Sequence, residues 1–359
     1  MAELRKKLQN NRIKFGIYAF YHPFYGTPSG PTGAWRGWNS PTELGVGAGY
    51  PEAKLPKECA EAIRPYLTRN PETEIGPGRP DTYSAYVPQI GLYDSRDPKV
   101  LKRQILSAVE ASLDGFVWDW LGENHPERSH PDICLKAALA TLQNLDVPFR
   151  IVLFYDGFMW NNLSPQRIAD ELTYLRKTYA GHPHIAHLEG RLVVFIYATF
   201  VKHTPAQWKE VRLLLAERGA NDVALIAGEP SASAQLDLFE GVQTYSAGLV
   251  EREGMRRRYQ HLAHLAREQD LFLALPAVPG FNGTRWHLPG RAIARRHGQF
   301  LRETWQEAMA CNPDWLLICS WNEWGEGTQI EPDTENLDYY LSLTRELAQE
   351  ARASRKRSQ

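Results

Sequence analysis

Eight short apolar runs recur along the chain, and most are near-continuously hydrophobic. They are FGIYAFY (15–21), DGFVWDW (114–120), FRIVLFY (149–155), RLVVFIY (191–197), DVALIAG (222–228), LFEGVQTY (238–245), LFLALPAV (271–278) and WLLICSW (315–321). A strand with one wet face alternates apolar and polar residues. A run without that alternation has both faces covered, as in a parallel sheet.

Amphipathic stretches separate most of the runs: 97–113, 133–145, 164–180, 204–220, 253–269 and about 291–310, with 336–353 closing the chain. Asp97-Pro98 and Ser164-Pro165 are capping residues followed by proline, a pairing that starts helices. The link 229–237 is short, so a helix between the fifth and sixth runs is weakly supported. Eight strands alternating with helices predict an α/β fold, a (β/α)8 barrel in one domain over 1–359. The rival is a doubly wound open sheet. That fold usually carries a glycine-rich phosphate turn after its first strand, and YHPFYGTPSGPTGAW contains no G-x-G-x-x-G. The stretch 22–96 has many Gly, Pro and aromatic residues without periodicity. It reads as an ordered insertion over the C-terminal mouth of the barrel.

A net charge of −1 leaves no electrostatic footprint for nucleic acid or an anionic membrane. No apolar run reaches the roughly 18 residues of a membrane span. The four cysteines (Cys59, Cys134, Cys311, Cys319) form neither a C-x-x-C pair nor a Cys/His cluster. Neither a zinc site nor any other cofactor is expected. The opening MAELRKKLQNNRIKFG lacks an apolar h-region. The expectation is a cytoplasmic protein, or a secreted or periplasmic one if a leader has been removed. Oligomeric state is not encoded legibly.

Barrel enzymes work at the C-terminal ends of their strands. Those ends supply Tyr21, His22, Trp118, Asp119, Asp156, Tyr197, Glu229 and Tyr245, then Asn322, Glu323, Trp324 and Glu326. Trp35 and Trp38 in AWRGWN and His287 in GTRWHLPG are further candidates to line the mouth. Acids, tyrosines and tryptophans together suit an oligosaccharide or polysaccharide. Paired carboxylates are the chemistry of glycoside hydrolysis, in which one acid holds a proton while its partner stays charged. Glu323 and Glu326 are the catalytic candidates, and the other residues are substrate-binding candidates. Two rivals stay open: a glycan-assembly or transferase protein of surface-polysaccharide type, and a carbohydrate binder without catalysis.

The stretch WNEWGEGTQIEPD (321–333) resembles the W-N-E-W-x-E-G-T-x-x-E-P signature of the endo-α-mannosidases of glycoside hydrolase family 99. A related motif occurs in barrel proteins linked to lipopolysaccharide biosynthesis. FYHPFYG (20–26), AWRGWN (34–39), PQIGLYDSRDP (88–98), the DGF of the second run and VPGFNGTR (278–285) extend the similarity over most of the chain. The resemblance implies a (β/α)8 barrel and metal-independent cleavage with retention, in which the substrate's own 2-hydroxyl acts as nucleophile. By position, Glu323 matches the base on that hydroxyl. Glu326 matches the acid that protonates the leaving oxygen and then activates water. The sequence departs from the pattern in three places. Gly325 stands where those mannosidases usually have His, WDWLGENH follows the second run, and the third run ends in Asp156 rather than Glu.

Overall fold

The computed structural model describes residues 14–39, 69–122, 129–156, 163–230, 236–245, 251–286 and 290–357. Eight parallel strands build its centre: β1 (Gly16–Tyr21), β2 (Gly115–Trp120), β3 (Arg150–Tyr155), β4 (Arg191–Ile196), β5 (Val223–Gly228), β6 (Gly241–Gln243), β7 (Phe272–Ala277) and β8 (Trp315–Ile318). Each pairs with its neighbours in sequence, and β8 returns to β1 with Gly16 opposite Trp315. The sheet therefore closes into a (β/α)8 barrel. The eight apolar runs are its eight strands.

Among the described residues seven helices surround it: α1 (Pro98–Glu110), α2 (Ser129–Leu142), α3 (Pro165–Tyr179), α4 (Pro205–Glu217), α5 (Arg252–Gln269), α6 (Gln299–Ala310) and α7 (Tyr339–Arg357). Their starts follow local chemistry. The side chain of Asp97 accepts from the Lys99 N–H at 2.8 Å, and Ser164 accepts from the Arg167 N–H, each just ahead of a proline. Between β5 and β6 the described residues hold a single 3-10 turn, Leu236–Leu238.

The sixth helix begins later than its sequence pattern suggests. Residues Ala292–Ile293 instead pair antiparallel with Phe281–Asn282. Arg296, His297 and Gly298 all have positive φ, which a right-handed helix cannot accommodate. At Gly298 a Cβ would lie 2.6 Å from Leu343 Cδ2 and 2.8 Å from the Tyr339 hydroxyl, so only glycine fits the turn into α6.

The described parts of 22–96 pack against the loops that follow β7 and β8. Gln89 N–H donates to the Pro332 carbonyl, Thr334 N–H donates to the Val87 carbonyl, and Arg285 pairs with Asp81 at 2.6 Å. Beneath them Tyr25, Trp38, Tyr93 and Trp324 form a small buried aromatic cluster of their own.

Candidate active site

Side chains alternate across a strand, so adjacent residues at a strand end point to opposite sides of the barrel wall. At the end of β1, Tyr21 points outward and donates from its hydroxyl to Gln104 on α1 at 2.7 Å. His22, the next residue, points inward. On β2, Trp118 and Trp120 donate outward to the Pro131 carbonyl and to Asp132, while Asp119 between them faces the interior. After β3 the inward residue is Asp156.

These inward side chains meet over a floor of rings. Phe20 lies 5.1 Å from Phe154 and 4.9 Å from Tyr245, and Tyr197 lies 5.8 Å from both Phe154 and Tyr245. Above that floor opens a cavity of about 570 Å3. His22, Asp119, Asp156, Glu323 and Glu326 supply its polar lining, and Phe24, Leu121 and Trp286 add to its apolar lining.

The two glutamates stand at the ends of one chain of contacts. His22 Nδ1 lies 3.0 Å from Glu323 Oε2 and 3.2 Å from Asp119 Oδ2. The Tyr245 hydroxyl lies 3.4 Å from His22 Nε2 and donates to Glu326 Oε2 at 3.1 Å. Glu229 fixes the Tyr245 main chain by accepting its N–H at 2.8 Å. Among the described residues Glu323 Oε1 and Asp119 Oδ1 have no hydrogen-bond partner, although both atoms are buried. Buried acceptors are rarely left so, and a sugar hydroxyl would satisfy them.

Burial sets the electrostatics. It pushes Glu323 up to about 8, against the pull of His22, and raises Glu326 and Asp119 as well. The same burial draws His22 down, while the charges of Glu323 and Glu326 push it back up. Glu323 and His22 thus compete for one proton across 3.0 Å. When the imidazole holds it, Glu323 is an anion poised to act as a base. His22→Ala removes that cation, so the acid limb of the kcat/KM profile should move to higher pH. An unmoved limb in pH-rate measurements rejects this role.

A third acid of the same segment, Glu331, lies on the outer side of the barrel wall. It accepts from Tyr93 at 2.8 Å and from Gln104 at 2.7 Å, and burial pushes it up to about 7. A carboxyl raised on folding lends stability below its unfolded value, and that stability is lost as pH rises through the folded value. For Glu331 the loss is on the order of 3 kcal/mol between pH 4.5 and 7. Denaturant unfolding at pH 5 and pH 8 should show the wild type losing stability, with Glu331→Gln losing less. Parallel losses in the two proteins count against it.

The profile of glycosyl hydrolase family 99 matches residues 13–343. The chain belongs to glycosyl hydrolase family 99. It is therefore a glycoside hydrolase, and its partner is a glycan. Similar curated proteins are the mouse glycoprotein endo-alpha-1,2-mannosidase, 24% identical over 93% of this chain and 74% of that protein, and the human glycoprotein endo-alpha-1,2-mannosidase-like protein, 23% identical over 95% and 77%. Among solved structures, the family's endo-alpha-mannosidase from Bacteroides thetaiotaomicron superposes with a TM-score of 0.72 at 21% identity, covering 95% of this chain and 98% of that one.

Several candidates of this family 99 chain do not line the cavity. Tyr21 and Trp118 face outward and stack on each other, centroids 4.4 Å apart, between the barrel and its helices. Trp38 and Trp324 are buried in the aromatic cluster under the insertion, where their indole N–H groups donate to the Tyr93 carbonyl and the Tyr93 hydroxyl. Trp35 packs on the edge of that cluster and donates to Glu72. Asn322 is fully buried and clamps the His22 main chain, accepting its N–H at 2.7 Å and donating to its carbonyl at 3.0 Å. None of these six is in the cavity lining. His287 lies outside the described residues. Conversely, Phe24, Leu121, Phe154 and Trp286 line the cavity without having been singled out in the sequence. Phe154 carried a signal, being the inward neighbour of Tyr155 by strand parity.

Proposed function

We propose that this protein cleaves α-mannosidic bonds within a glycan, with retention, using the substrate's O2 as the nucleophile. Glu323 takes the proton from O2, whose electron pair then forms a bond to C1. The bond from C1 to the leaving oxygen breaks, and that oxygen takes the proton of Glu326. The product is a 1,2-anhydro sugar and a free leaving sugar. Water next gives a proton to Glu326 and attacks C1, the C1–O2 bond opens, and O2 recovers its proton from Glu323. Two inversions at C1 give net retention.

A sugar hydroxyl is a weak nucleophile and needs a carboxylate hydrogen-bonded to it. The observation that carries the reading is the buried, unpartnered Glu323 Oε1 in a ring-floored cavity shared with Glu326. The similar mouse protein is a glycoprotein endo-alpha-1,2-mannosidase, which supports the choice of sugar and the internal mode of cleavage. The test is incubation with a panel of α-mannosyl oligosaccharides, following the first-formed anomer by proton NMR. An α-configured hemiacetal is expected. A β-configured first product, or no release from any α-mannoside by folded protein, overturns the proposal.

A further inference from the structure

Trp286 sits in the loop after β7, only 6% exposed, and borders the cavity. It is held firmly. Tyr83 meets it edge to face, centroids 5.0 Å apart, and Phe24 and Leu121 complete the cluster around it. The preceding residue, Arg285, donates to the Thr82 carbonyl at 2.7 Å and to Asp81 at 2.6 Å, tying the loop to the insertion.

Gly325 lies between Glu323 and Glu326 in the chain. Gly325 has no side chain, and the indole occupies the space one would take. A Cβ on Gly325 would lie 1.4 Å from Trp286 Cε3 and 1.6 Å from Cζ3. Rigid ring atoms cannot yield that far, so any other residue at 325 must expel the indole. The loop is also pinned to the acid itself, since the Asn282 N–H donates to the Glu326 carbonyl at 2.6 Å. Trp286 is thus fixed beside Glu326.

We infer that Trp286 is the contact for the sugar that departs, and that the Gly325–Trp286 pair decides which glycans are accepted on that side. The inference rests on the glycosidase reading, in which Glu326 protonates the leaving oxygen. The leaving sugar must then lie against Glu326, where Trp286 is the large apolar surface. An indole carries negative charge on its face and attracts polarised C–H groups. The ligand class is a pyranose recognised through a C–H-rich face, rather than by a hydrogen bond from a side chain at position 325.

The test compares wild type, Trp286→Ala, Trp286→Phe and Gly325→Ala on two substrates. One is an α-mannosyl oligosaccharide, whose leaving group is a sugar. The other is the matching α-glycosyl fluoride, whose leaving group has no ring. The ratio of kcat/KM for the glycan to that for the fluoride should fall at least tenfold in Trp286→Ala and in Gly325→Ala, and Trp286→Phe should restore most of it. A ratio held within twofold while both rates drop together marks Trp286 as a packing residue and overturns the inference. Wild-type protein that turns over neither substrate sinks the glycosidase reading first, and this inference with it.

Discussion

Glu326→Gln should lower turnover of a sugar-leaving substrate by about 10³-fold, within the range that a positioned general acid supplies. The amide keeps the shape of the carboxyl and can still meet the Tyr245 hydroxyl, which now lies 3.1 Å from Oε2. It cannot deliver a proton. The loss should be much smaller on a glycosyl fluoride, because fluoride departs with little protonic help. Glu323→Gln makes the opposite comparison. The substrate's O2 needs a base whatever leaves, so both substrates should suffer alike. Folding gives an independent check. Burial raises the Glu326 carboxyl, so its contribution to stability is present at low pH and is lost as pH rises. The glutamine variant escapes that loss and should melt at or above the wild-type temperature at pH 8. Near-wild-type glycan hydrolysis by folded Glu326→Gln would refute the acid assignment, as would equal losses on both substrates.

The barrel was legible because its strands are buried on both faces, which leaves near-continuous apolar runs that few other structures need. Glu323 and Glu326 were legible because two acids crowded among tryptophans have no easy structural explanation. What the sequence concealed was parity. Tyr21 and His22, or Trp118 and Asp119, are neighbours at the same strand end, yet one of each pair packs against helices and the other enters the cavity. Composition at a strand end does not reveal which residue turns inward. The tryptophans of the insertion misled for a related reason. Trp38, a sequence candidate to line the mouth, is buried instead, because Tyr25, Tyr93 and Trp324, far apart in sequence, assemble a core around it. Trp286 lies in a loop with no periodicity to place it. Its only trace in the sequence was indirect, the missing side chain at Gly325. The late start of α6 was hidden by Arg296 and His297, whose left-handed backbone no propensity anticipates.

Asn322→Ala should produce the largest loss of stability among substitutions near the site, about 3–5 kcal/mol. Asn322 is a hub rather than a ligand contact. Its amide holds the His22 N–H and carbonyl, and also donates to the Tyr93 hydroxyl at 3.0 Å. That hydroxyl in turn donates to Glu331 and accepts from the Trp324 indole. One amide therefore ties together the end of β1, the insertion and the segment that carries Glu323 and Glu326. Alanine leaves two main-chain groups of His22 unpaired in a site sealed from water, and buried groups in that condition carry their full desolvation cost. Asn322→Asp offers no rescue, because a carboxylate can accept from the His22 N–H but cannot donate to its carbonyl, and it adds a buried charge. Thermal melts should register the alanine change as a drop of roughly 4–7 °C in a chain of 359 residues. Activity should fall too, on the order of 10²-fold, because His22 is the link between Glu323 and Tyr245 and a small misplacement is enough. If the variant melts within about 2 °C of wild type, the clamp is not what fixes His22, and the positioning of the Glu323 side of the site must come from Ser320, whose hydroxyl accepts the Glu323 N–H at 2.7 Å.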